Sequence, residues 1–162
     1  MRKRLAQCAV ATSLAVATAA LAADMSTVPY PAGYRQWTHV KSMQILPGHP
    51  LYDAFGGIHH LYANARAMDG YRSGRFPDGA VIVFDLLQAD SAQNAVTEGP
   101  RKVVGVMHRD AKRYAATGGW GFEAWKGGDA KQPVVRGDAA TACFNCHTAQ
   151  KDHQYVFSAY RP

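Results

Sequence analysis

The sequence predicts an α+β fold: a mainly antiparallel β-sheet with a few short helices and one further helix near the C-terminus. Three observations carry that prediction. Segments rich in branched and aromatic residues recur along the chain and stop at Gly- and Pro-containing turns. The helical stretches between them are short. Nowhere does an apolar stripe of helical period run long enough for the amphipathic helices of a bundle. No internal repeat and no composition break divides the chain, so residues 23–162 read as one domain.

Taken in order, Asp24 to Pro31 is polar and proline-punctuated and reads as an arm. Trp37 to Leu46 is a strand stopped by Pro47-Gly48, and Ile58 to Tyr62 is a second strand after a loop that holds Leu51, Tyr52 and Phe55. Asn64 caps a short helix through Met68 that Gly70 or Gly74 ends. The Phe76-Pro77-Asp78-Gly79 turn leads into Ala80 to Leu87, whose nearly continuous apolar run predicts a strand buried on both faces. Gln88 to Pro100 reads as polar loop, and Lys102 to His108 as strand. Asp110 caps one or two turns that end at Gly118-Gly119, and Trp120 to Trp125 is strand again. Asp138 to Gln150 reads as helix, with Tyr155 to Tyr160 as a last strand or an extended tail.

The N-terminus gives an address. Met1-Arg2-Lys3-Arg4 is basic, Leu5 to Leu21 is apolar and alanine-rich, and Ala20-Leu21-Ala22 is a small-x-small cleavage signal. Residues 1–22 therefore read as a cleaved export signal, and the expected location is the periplasm. The stretch is too short for a retained membrane span, and Cys8 leaves with it. Loss of Arg2, Lys3 and Arg4 lowers the formal charge from +6 to +3, too mild and too scattered for a nucleic-acid partner.

The mature chain then holds two cysteines, in Cys143-Phe144-Asn145-Cys146-His147. Thiols three positions apart on a helical turn point the same way, so each can bond one haem vinyl group, and the adjoining histidine can ligate the iron. Half a zinc site or a redox disulfide are the other readings of a Cys-x-x-Cys pair. Zinc needs two more ligands at recognisable spacing, and no second cysteine pair exists. Haem c attached at Cys143 and Cys146, with His147 as proximal ligand, is the reading that the oxidising compartment and the histidine favour over a dithiol oxidoreductase.

Several further stretches occur in an order that resembles the cytochrome P460 family, which includes the sheet-built cytochromes c′-beta. They are Tyr34-Arg35-x-Trp37, Tyr62-Ala63-Asn64, Gly74-x-Phe76-x-Asp78-Gly79, Lys112-Arg113-Tyr114, Gly119-Trp120-Gly121-Phe122 and the C-terminal haem motif. The resemblance spans nearly the whole mature chain. It implies a homodimeric, single-haem periplasmic protein. One branch oxidises hydroxylamine and links its haem to a lysine just before the Gly-x-Phe-x-Asp-Gly turn; here Gly70-Tyr71-Arg72-Ser73 stands there, and no lysine lies between Ala63 and Arg101. The cytochromes c′-beta cap the distal side with aromatic residues and bind gases such as nitric oxide, a role that position gives to Phe55 and Tyr71.

The sixth iron position decides between carrier, gas binder and enzyme. Met43 or Met68 as ligand would make an electron carrier serving a periplasmic redox partner, although core packing is the better reading of each methionine. His59 and His60 are strand neighbours, so only one of them can face the haem. Glu123, among Trp120, Phe122 and Trp125, is the candidate general base of a hydroxylamine-oxidising enzyme.

Overall fold

The computed structural model describes residues 28–162, so the export signal predicted over 1–22 lies outside the described residues. Five strands, β1 (Thr38–Ile45), β2 (Gly57–Ala63), β3 (Val81–Ala92), β4 (Ala95–Arg109) and β5 (Trp120–Lys126), form one sheet in sequence order. Every neighbouring pair is antiparallel. Helix α1 (Tyr52–Phe55) joins β1 to β2, and α2 (Ala65–Ser73) joins β2 to β3. A helical run over 140–153 follows β5, with α3 (Asn145–His147) at its centre.

Local chemistry fixes these elements. Asn64 accepts from the Ala67 N–H at 2.9 Å, accepts from the Val81 N–H at 3.1 Å and donates to the Gly79 carbonyl at 2.9 Å. One side chain thus caps α2 and ties its start to the turn and strand that follow. Gly74, with φ at 73°, ends the helix in the left-handed region. Gly70 lets α2 lie directly on the Phe76 ring, where a Cβ would overlap it.

The sheet divides the core in two. One face packs Ala67 and Met68 of α2, Phe76, Ile82, Trp120 and Phe122 against the C-terminal segment. The other gathers Val28, Tyr34, Val83, Val104, Val106 and Trp125. At its centre Asp85, wholly buried, accepts from the Tyr34 hydroxyl at 2.8 Å and from Arg101 Nε at 2.6 Å and Nη2 at 3.3 Å. That face is closed and its buried charge is paired.

Three expectations change. Gln88 to Pro100 is not loop: β3 runs to Ala92 and β4 starts at Ala95, across a Gln93-Asn94 turn with both φ positive at 52° and 62°. Those angles are those of a type I′ hairpin turn. This end of the hairpin projects past β2, which pairs with β3 only as far as Leu87, so it is wet on both faces and its sequence carries no apolar alternation. The arm's last part belongs to the core, because Val28 is buried and the Tyr30 ring meets Trp125 edge-on at 5.1 Å. The C-terminal helix forms, but its turns pass from π over Ala140–Phe144 through α to 3-10 over Thr148–His153. Residues 155–160 form the tail, without strand pairing among the described residues.

Candidate functional site

The helical run brings Cys143 and His147 against the face that carries Phe122, with Cys146 exposed one turn on from Cys143. The His147 ring lies 5.0 Å from Phe122 and 5.1 Å from Phe157. Its Nδ1–H donates to the Tyr155 carbonyl at 2.7 Å, and that bond leaves the lone pair on Nε2. Burial lowers the His147 pKa, partly offset by the same hydrogen bond, so the ring is held neutral, the form that ligates a metal. Both thiols are free. Burial, then the carboxylates of Glu123 and Asp138, push Cys143 up to about 11, the opposite of the acidic thiol that a dithiol oxidoreductase uses. Among the described residues no group of three or more His, Cys, Asp or Glu side chains could hold a metal ion, which a zinc site would need.

Cross-strand register shows what lies beside this segment. Ala63, Ile82, Met107 and Phe122 form one row of side chains on the His147 face. The next row is Leu61, Phe84, Gly105 and Ala124. All four are half-buried, and a Cβ at Gly105 would meet only Phe84, at 3.6 Å or more. This row is flat apolar ground, open to a planar group. A third row holds Met43, His59, Leu86 and Val103. It lies ~14 Å along the strands from the Phe122 row, at ~3.4 Å per residue.

The candidates named from sequence separate on this map. Phe55 stands 40% exposed at the end of α1 and meets the Phe84 ring edge-on at 5.7 Å. Its position is set by Lys102, which donates to the Gly56 carbonyl at 2.7 Å, and by Gly57, where a Cβ would strike the Leu87 carbonyl. His59 is on the same face, 4% exposed and 4.6 Å from Phe84, with Nδ1 buried and without a hydrogen-bond partner among the described residues. Met43 shares its row but is 45% exposed. His60 turns to the other face, bonded to Ser42 at 2.6 Å and to Glu98 at 2.7 Å. Met68 is buried within the core below α2. Tyr71 packs on Phe76 and bonds Ser158 at 2.6 Å, so it braces the C-terminal tail.

Glu123 is buried, and its carboxylate accepts from the Ala124 and Val135 N–H groups at 2.9 and 2.8 Å and from the Arg136 N–H at 3.2 Å. Those bonds tie β5 to the segment leading to the cysteines. Strand alternation also puts Trp120 and Phe122 on the opposite face from it. Phe84 is the residue that sequence reading missed. Its alternation within β3 was visible, but which face was open was not.

A neutral imidazole with Nε2 free, two unpaired thiols and a flat apolar row beside them fit haem, and they define a haem-binding protein built on a β-sheet. The family model described as Cytochrome P460 matches residues 31–158, and the chain belongs to that family, which makes it a haem-binding cytochrome. Among curated proteins no relative matches the chain. No helix among the described residues is long and apolar enough to cross a membrane.

Proposed function

We propose that this protein is an exported single-haem c-type cytochrome that binds a small ligand such as nitric oxide on the distal side of its haem, or passes electrons to a periplasmic partner. Cys143 and Cys146 are the thioether attachments, and His147 is the proximal ligand. When bound, the haem supplies an iron that takes a diatomic ligand or changes oxidation state. The observation that carries the reading is the commitment of His147 Nδ1–H to the Tyr155 carbonyl, which presents Nε2 beside two free thiols. Phe55 and Phe84 make the ground on the far side apolar, which suits a gas better than a charged substrate. Export through residues 1–22 and assembly as a homodimer belong to the same reading.

Hydroxylamine oxidation is the weaker reading, because no lysine lies between Ala63 and Arg101 and Glu123 spends its oxygens on backbone donors. Absorption spectra of the purified ferric and ferrous protein, followed by titration with nitric oxide, test the proposal. High-spin iron that takes up nitric oxide is expected. A low-spin spectrum with a methionine-to-iron band lost in Met43→Ala or Met68→Ala would move the function to electron transfer alone. Turnover of hydroxylamine with an artificial acceptor would overturn the non-enzymatic reading.

A further inference from the structure

The carbonyl that receives the His147 Nδ1–H belongs to a peptide held in an unusual way. Gln154 and Tyr155 both sit in the left-handed region, at φ 53° and 66°, although neither is glycine. Such a residue is strained and persists only where the surroundings over-determine it. Here they do. The Gln154 side chain accepts from the Phe76 N–H at 3.2 Å and donates to the Gly74 carbonyl at 3.0 Å. The Gln154 carbonyl accepts from Trp120 Nε1–H at 2.8 Å, and Trp120 is wholly buried. The Tyr155 N–H returns to the Gln150 carbonyl at 2.7 Å, and its ring lies over Gly118, where a Cβ would strike it.

We propose that Gln154 and Trp120 are positioning residues that aim the Tyr155 carbonyl at His147 and thereby set the reduction potential of the haem iron. The inference rests on His147 being the proximal ligand. A hydrogen bond from the far nitrogen of a ligating imidazole raises its basicity, strengthens its bond to the metal and favours the oxidised state. Two anchors from different elements, the Gly74–Phe76 turn and the start of β5, fix that carbonyl more firmly than the run of residues 148–153 could alone. This gives Gln154, in a stretch outside the haem motif, a part in tuning the cofactor.

The test is the midpoint potential and the ferrous iron–histidine stretching frequency of the haem-loaded wild type, Gln154→Ala and Trp120→Phe. Trp120→Phe keeps a ring in the core but removes the donor, so it gives the reading where Gln154→Ala fails to accumulate. Both variants are expected to favour the ferrous form by about tenfold, the lower end of the range for outer-shell partners, which is about 59 mV for a one-electron couple. Both are expected to lower the stretching frequency. Ser158→Ala, which removes the partner of Tyr71 in the same packed region, is expected to lower stability with the potential unchanged. An unchanged potential and frequency in both clamp variants would overturn the inference, as would an equal shift in Ser158→Ala. Failure of the underlying reading looks different, since the wild type itself would then carry no histidine-ligated haem.

Discussion

The two faces of this sheet are built to opposite ends. On one, Asp85 is sealed with Tyr34 and Arg101, and the arm at Val28 and Tyr30 closes the cover. On the other, Leu61, Phe84, Gly105 and Ala124 stay half-buried, Phe55 stands out from the surface, and His59 keeps a buried nitrogen without a partner. Buried polar atoms without a partner among the described residues occur on both faces, His59 Nδ1 on this one and His108 Nδ1 and the Tyr114 hydroxyl on the other, so the contrast lies in the buried ion pair of the first face and the flat apolar row of the second. In the reading proposed above, the first face serves stability and the second the cofactor.

Breaking the closed face should have the largest effect on folding. Asp85→Ala leaves Arg101 without its carboxylate, and losing one partner of a buried pair costs about 3–5 kcal/mol. Denaturant unfolding should show that loss while the haem spectrum of the folded fraction stays as in wild type. On the open face, His59 sharpens the contrast through pH. Burial, helped by the neighbouring His60 and then by the positive charge of Lys41, lowers its pKa to about 4 from an ordinary 6.5. The unfolded chain then takes up this proton first as pH falls below 6.5, and stability is lost down to about pH 4 at a slope approaching ~1.4 kcal/mol per unit. His59→Phe should flatten that part of the curve, as read from denaturation midpoints across the range.

Filling the open face should separate cofactor from fold. Gly105→Val puts a branched side chain where only Phe84 is near, so the chain should fold within ~1 kcal/mol of wild type. Haem content per folded protein should fall, read as the ratio of haem absorbance to chain, because the branched side chain occupies the ground on which the ring would lie before its attachment. The smallest effect is expected at Phe55, which is already exposed. Phe55→Ala should change stability by less than ~1 kcal/mol and speed nitric oxide binding several-fold in stopped-flow mixing.

The strands and the haem motif could be read in the sequence, the contrast between the two faces could not, and both outcomes have physical causes. Cys143 to His147 stand out because the proposed covalent attachment demands a fixed spacing. Asn64, Gly74 and the Val81 to Leu87 run are legible because caps and buried strands depend on local residue types. The surroundings of Glu123 were not legible, because only the fold brings the Val135 and Arg136 N–H groups back to its carboxylate. Gln88 to Pro100 misled because a hairpin arm wet on both sides has no apolar period to betray it. The Gln154 clamp was invisible because its partners, Gly74, Phe76 and Trp120, lie far away along the chain.

The central claim is that the open face holds one haem bonded to Cys143 and Cys146, and mass spectrometry of the exported protein under denaturing conditions tests it directly. A mature chain heavier by one haem is expected, with the added mass lost when Cys143 and Cys146 are both changed to alanine. Intact chain without haem, or haem that survives the double substitution, would contradict it.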